Sequence, residues 1–260
     1  MSLGKGVLAQ LDVVHALVLR ETRTRFGAHQ LGYLWAFLEP AIWIGTFYTL
    51  YSIAGRQPPD GMDLISFLVT GMVPYELFLS TNGRVSVSIN SNKALLFYPQ
   101  VNPLDLTIAR VVLEATTSVT VFTMFMLGVM LFHQHVPTID DALRVVLGFA
   151  LAAGLGAGLG QIFCAAGVFT NVVDRIRGPL IRPLFWCSGL FYTANGLPDS
   201  VREVFMYNPL FHAIELVRDG WFPAYQAHHA STTYAFGWLI SLALLGLVLE
   251  RVVRRRIEVT

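Results

Sequence analysis

Long apolar runs separated by short polar breaks cover most of the chain, at about 33–54, 63–83, 104–132, 142–170, 179–194 and 232–249. A helix rises 1.5 Å per residue, so about 20 residues cross the roughly 30 Å hydrocarbon core of a bilayer. The run 179–194 reaches only about 24 Å, while the others are long enough. The pattern predicts an all-α polytopic membrane protein with six transmembrane helices. The stretch 195–225 is neither apolar enough to span nor polar enough for a solvated loop. Asp199 and Ser200 can cap one short helix through Met206, and Pro209 can open another that ends at Gly220. These two short re-entrant helices before the last span would complete the short crossing, because irregular backbone at membrane depth is tolerated where protein buries it or water reaches it.

Ahead of the first span, Val7, Leu8, Leu11, Val14 and Val18 form one helical stripe, with Gln10, Asp12, Arg20 and Glu21 largely off it. Asp12 and His15 break the apolar core that a signal peptide needs, and no small-residue cleavage site follows. Residues 1–30 therefore read as an N-terminal amphipathic interface helix and basic segment, and residues 31–260 as the transmembrane domain. The longest clearly polar internal segment is 84–103. Its Ser and Asn residues offer helix N-caps ahead of Lys93, and Pro99 stops whatever helix forms. The apolar edge Leu95-Leu96-Phe97-Tyr98 then either takes a partner or lies on the lipid surface.

Composition agrees with the pattern: 54% of residues are hydrophobic and 13% charged, about half the charge of a typical soluble domain. The net charge of +1 implies no polyanion-binding role. Its distribution carries more. Lys5, Arg20, Arg23, Arg25, Arg84, Lys93, Arg175, Arg177, Arg182, Arg251, Arg254, Arg255 and Arg256 fall on one side of the six spans. The other side holds only Arg56, Arg202 and Arg218, so both termini and the 84–103 loop are expected in the cytoplasm.

Candidate chemistry is sparse. Gly154, Gly156, Gly158 and Gly160 lack the third glycine of a dinucleotide loop and read as overlapping G-x-x-x-G packing pairs. With only two lysines, neither in a Walker loop, any ATP hydrolysis belongs to another chain, and no catalytic site or metal site is expected here. His133, His135, His228 and His229 read as loop histidines, Asp140-Asp141 as a helix start, and Cys164 and Cys187 as span residues. Arg110 and Glu114 are four apart in the third span and are expected to pair with each other, with Glu39 and Glu76 as further polar candidates.

The runs Leu19-Arg20-Glu21-Thr22-Arg23-Thr24-Arg25-Phe26-Gly27 and Leu31-Gly32-Tyr33-Leu34-Trp35-Ala36-Phe37-Leu38-Glu39-Pro40 resemble the opening of the membrane subunits of capsular polysaccharide ABC exporters, of the ABC-2 type. Pro103-Leu104-Asp105, Ile108 to Glu114, and Asn208 to Leu216 continue the resemblance. It implies a multi-pass bacterial inner-membrane protein that works as a homodimer with two copies of a cytoplasmic ATPase, which binds ATP and Mg. The cargo it implies is a lipid-linked acidic polysaccharide, with a periplasmic adaptor and an outer-membrane exporter continuing the route. A coupling helix would fall on Ser88, Asn90, Lys93, Leu95, Leu96, Phe97, Tyr98 and Pro99.

A conduit for an acidic glycan calls for aromatic platforms and cations near the cytoplasmic mouth. Tyr33 and Trp35 on the first span, Phe185, Trp186 and Tyr192 on the fifth, and Arg23, Arg25 and Arg182 at the mouth are the candidates, with Glu39 beside them; the aromatics can equally be interfacial lipid anchors. Export of O-antigen or teichoic acid, an ion-coupled secondary transporter and a membrane-embedded transferase stay open as alternatives, although no internal repeat and no facing carboxylate cluster stands out.

Overall fold

A computed structural model describes residues 3–26, 32–98, 101–133, 139–170 and 172–257, and the described segments are helices and their connections. The α-helices are α1 (Leu3–Phe26), α2 (Gly32–Ile53), α3 (Leu64–Ser86), α4 (Pro103–His133), α5 (Ala142–Phe169), α6 (Val172–Cys187), α7 (Asp199–Phe205), α8 (Pro209–Trp221) and α9 (Thr232–Ile257). Local chemistry sets several starts. Asp63 accepts the Ser66 N–H at 2.9 Å ahead of α3, and Asp141 accepts from Leu143 and Arg144 ahead of α5. Asn208 accepts from Leu210, with Pro209 in the first turn of α8, where its missing N–H costs nothing.

At the centre lies α5, packed against α3, α8 and α9. Its glycines make this possible, and the two overlapping pairs serve different neighbours. A Cβ on Gly156 would come within 2.6 Å of the Phe78 carbonyl oxygen, and one on Gly160 within 2.9 Å of the Asn82 carbonyl oxygen, both on α3. A Cβ on Gly158 would meet Leu242 of α9 at 2.8 Å. Small residues thus let backbones approach on both sides of one helix.

Among the described residues, four helices are long and apolar enough to cross a membrane: Leu64–Ser86, Pro103–Phe132, Ala142–Phe169 and Thr232–Val253. The remaining two expected spans are α2 and α6. The 22 residues of α2 are long enough, but Glu39-Pro40 and its Trp, Tyr and Thr residues dilute its hydropathy; the 16 residues of α6 are short. Pro40, Pro74, Pro179 and Pro183 all sit inside helices. Most of α2 is exposed, and it joins the bundle through Phe37 stacked on Phe125 at 4.7 Å, buried Ile44, Phe47 and Tyr51.

Two local expectations need correction. Pro198 holds the N-cap position of α7 without a side-chain bond, so Asp199 lies in the first turn and acts on the helix dipole. Within 84–103, Ser and Asn provide no cap: the segment Asn90–Phe97 is a 3-10 helix entered from helical Ile89 and kinked at Asn92 (φ −128°, ψ 25°). Asn92 is occupied elsewhere, its amide nitrogen donating to the Ser88 carbonyl and its amide oxygen accepting from Arg20.

The glycine contacts set a stability prediction. Gly156→Ala should lower the thermal stability of the detergent-solubilised protein by about 1–3 kcal/mol, the usual cost of overpacking. Gly167→Ala, whose Cβ meets nothing within 4 Å, should be neutral or gain up to about 1 kcal/mol.

Candidate functional site

Four charged residues pair across α1 and α4. Glu114, 2% exposed, accepts from Arg25 Nη1 at 2.5 Å and from Arg84 Nε at 2.9 Å. Arg110 donates to Glu21 at 3.4 Å, to Ser91 Oγ at 2.8 Å and to the Arg84 carbonyl. The expected Arg110–Glu114 pair is therefore replaced by two pairs between helices. The reason is packing: α1 lies along α4, and Glu21 and Arg25, also one turn apart, meet Arg110 and Glu114 with opposite sign at each level. The spacing Glu21-x-x-x-Arg25 was the readable signal. Burial pulls the Arg25 pKa below its ordinary value, and Glu114 acts against that fall.

The same network holds the 88–98 segment. Arg20 donates to Asn92 and Arg110 to Ser91, so both α1 and α4 are fastened to it. Ser88 is buried with its hydroxyl 3.3 Å from Cys164 Sγ, and Leu95 is half-buried beside Leu17, Leu106 and Ala109. These two candidates for partner docking are turned into the protein: Ser88, just past the end of α3, packs against α5, and Leu95, beyond the kink at Asn92, packs against α1 and α4. Asn90 is exposed, and Tyr98 is 61% exposed. The side chains of Lys93, Leu96 and Phe97, and residue Pro99, lie outside the described residues.

Between α2, α3 and α6 lies a cavity of about 720 Å³. Glu39 and Trp43 line it from α2, Tyr75, Glu76 and Asn82 from α3, and Arg177, Arg182, Phe185 and Trp186 from α6. Four of the expected path residues, Glu39, Arg182, Phe185 and Trp186, thus come together. Arg25 lines a small adjoining void of about 60 Å³ that Glu39 and Glu76 share. Arg23 and Trp35 are exposed outside the cavity, and the Tyr33 side chain lies outside the described residues. Tyr192 is a correction: its hydroxyl donates to the Trp186 carbonyl and its ring lies beside Phe205 and Phe211, so it braces the turn after α6.

Four lining groups went unread as such in the sequence: Trp43, Tyr75, Asn82 and Arg177. Asn82 is fully buried, and its amide has no hydrogen-bond partner among the described residues. Arg177 donates to Ser86 Oγ and, at 3.2 Å, to the Gly83 carbonyl, fastening α6 to the end of α3.

Arg218, expected in a loop, is fully buried. It donates to the carbonyls of Gly189, Leu190 and Tyr192 and to Glu215 at 3.3 Å, with its guanidinium carbon 4.2 Å above the Phe67 ring. Glu215 also accepts from Tyr225 and the Ala194 N–H. The signal was Glu215-x-x-Arg218 inside an apolar helix, a spacing that pairs charges on one face.

Helices long and apolar enough to cross a membrane, a cavity beside one of them that mixes cations with aromatic rings, and a charged helix fastened to a polar loop are features of a transport-type membrane domain. The family model for the ABC-2 type transporter matches residues 12–222, and the chain belongs to that family. Similar proteins include the polysialic acid transport protein KpsM of Escherichia coli, 33% identical over 247 residues covering 95% of each chain. The capsule polysaccharide export inner-membrane protein BexB of Haemophilus influenzae is 26% identical, over 98% of this chain and 96% of that one. The O-antigen export system permease protein RfbA of Klebsiella pneumoniae is 26% identical over 80% of this chain and 79% of that one.

The pairing scheme is open to double-mutant cycles. Glu114→Gln should cost about 1.5–3 kcal/mol, the worth of hydrogen bonds to a charged acceptor, and combining it with Arg25→Gln should cost less than the sum of the two single changes. Thermal unfolding in detergent reads both; additive losses would show that the two side chains are not coupled.

Proposed function

We propose that this chain is the membrane-spanning subunit of an ATP-driven exporter for a lipid-linked acidic capsular polysaccharide. It acts as a homodimer, forms the translocation path, and is driven by two copies of a separate cytoplasmic ATPase that bind ATP and Mg. The chain itself carries no catalytic step. The observation that carries the reading is the cavity between α2, α3 and α6, where Arg177 and Arg182 can meet carboxylates or phosphates and Trp43, Tyr75, Phe185 and Trp186 offer faces to sugar rings. Similarity to capsule-export proteins over nearly the whole chain supports it.

At about 720 Å³ the cavity is the size of a pocket for a small ligand. A polymer therefore passes only a few units through it at a time, and a second copy across the open face of α2 and α6 completes the wall. In this reading α2 and α6 are the remaining spans, with α7 and α8 re-entrant beside α6. Both termini and the 84–103 loop face the cytoplasm, as the basic residues dictate. The exposed side of the 88–98 segment receives the ATPase, whose motion reaches α1 and α4 through Arg20–Asn92 and Arg110–Ser91. A periplasmic adaptor and an outer-membrane exporter take the polymer onward.

The lower, shorter similarity to RfbA supports a second reading with the same machinery and an O-antigen cargo. Cargo extracted from cells lacking the subunit separates the two readings, since the glycan that accumulates inside is the one normally exported.

Complementation of such cells tests the path. Arg182→Ala and Trp186→Ala should reduce surface polymer at least tenfold and leave it inside, with membrane abundance and ATPase recovery unchanged. Normal surface polymer in both variants would place the path elsewhere. Tyr98→Asp should leave the chain inserted but reduce ATPase co-purification about tenfold or more, because burying a large apolar side chain is worth about 1.5–3 kcal/mol. Undiminished recovery would remove this segment from the docking surface.

A further inference from the structure

The cavity ends beneath the turn that follows α6, and a second space of about 360 Å³, lined by Tyr48, Tyr51 and Asp63, lies beyond it. Along α2, Trp43 belongs to the first space and Tyr48 and Tyr51 to the second, with Phe47 between them. The Phe47 ring meets Phe191 at 4.3 Å and Phe185 at 6.1 Å, and Phe185 meets Phe191 at 5.4 Å. Phe47 and Phe191 therefore stand between Phe185, in the wall of the first space, and Tyr51, in the wall of the second.

How the backbone of 186–192 is held shows which part of this barrier can move. Tyr192 donates to the Trp186 carbonyl, Asn208 to that of Cys187 at 3.1 Å, and Arg218 to those of Gly189, Leu190 and Tyr192. Gly189 makes the tight turn at φ 77°. Every one of these donors comes from the turn itself or from the start and body of α8, and Arg218 is a charged donor buried with Glu215. Charge-assisted bonds of this kind are about twice as strong as neutral ones. The turn and α8 consequently move as one piece.

The Phe191 carbonyl differs. It accepts from the Tyr51 hydroxyl at 2.6 Å, and this is the one hydrogen bond between α2 and the turn among the described residues. Its donor is neutral, it sits near the end of α2, and α2 is exposed along most of its length. When the barrier yields, the seam between α2 and the turn is the weakest place.

We infer that Tyr51 is the latch of a gate: its hydroxyl on the Phe191 carbonyl, with Phe47 wedged between Phe185 and Phe191, closes the path between the two spaces. Opening swings α2 away from a turn that stays clamped to α8 by Arg218. The inference rests on the exporter reading above, and the experiment keeps the two apart.

The test uses the full exporter, subunit and ATPase together, in vesicles of phosphatidylethanolamine and phosphatidylglycerol. A Cys187→Ser background carries Tyr51→Cys and Phe191→Cys, joined by a bismaleimide whose disulfide a reductant cleaves. Cross-linked protein should export the polymer less than a tenth as fast as the same protein after cleavage, with ATPase recovery unchanged. Equal export from fully cross-linked protein overturns the latch, and so does loss of export in the cleaved form. Wild-type vesicles that move no polymer with ATP would instead sink the exporter reading. Independently, Tyr51→Phe should raise ATP-independent leakage of carboxyfluorescein about two- to tenfold, the effect of one neutral hydrogen bond on a two-state equilibrium. Tyr234→Phe, which removes a hydroxyl that donates to the Tyr207 carbonyl outside the lining of both spaces, should leave leakage unchanged, and equal leakage from wild type and Tyr51→Phe counts against the latch.

Discussion

A buried polar group is cut off from water, so it depends on partners within the protein. Arg218 shows how far this reaches. A lone buried guanidinium would be strongly destabilising, yet here Glu215 neutralises it, three carbonyls accept from it and Phe67 lies beneath it. The carbonyls in turn belong to backbone that has left the helix after Cys187 and would otherwise be stranded. Cation and broken backbone satisfy each other, so a short α6 can end inside the bundle and the cavity can end with it.

The same rule shapes the other end of the bundle. Glu114 is almost wholly buried in α4, and only α1 and the end of α3 can bring it cations. That demand places α1 along α4, which puts Arg20 and Arg110 against the 88–98 segment. Between the two ends, the glycines of α5 let α3 and α9 approach closely enough to form a fixed frame. Against that frame α2 is the loosely held wall.

The helical class, a helix ahead of the first long apolar run, the glycine packing and the start of α8 at Pro209 were all legible, because each rests on local pattern. Which charges meet was not. Arg110 and Glu114 satisfy the spacing rule for a pair within one helix, and only the docking of α1 redirects them to Glu21 and Arg25. Arg218 looked like a loop cation because the stretch around it is too mixed to read as a span; its burial comes from the contacts of α8 with α3 and α5. Ser88 and Leu95 sat in a polar loop by pattern and turned inward, Ser88 against Cys164 of α5 and Leu95, past the kink at Asn92, against α1 and α4. Of the expected path, the residues that converge are those about one turn apart on α6, Arg182, Phe185 and Trp186, with Glu39 of α2 opposite. Tyr192 lies past the end of that helix, where helical spacing no longer predicts direction.

The account stands or falls on energy source and cargo together. The direct measurement is reconstitution of the purified subunit with its ATPase in vesicles, following transfer of the lipid-linked glycan across the bilayer. The account predicts transfer that requires both proteins and hydrolysable ATP and stops when either is withheld. Transfer by the subunit alone, driven by an ion gradient, would contradict it.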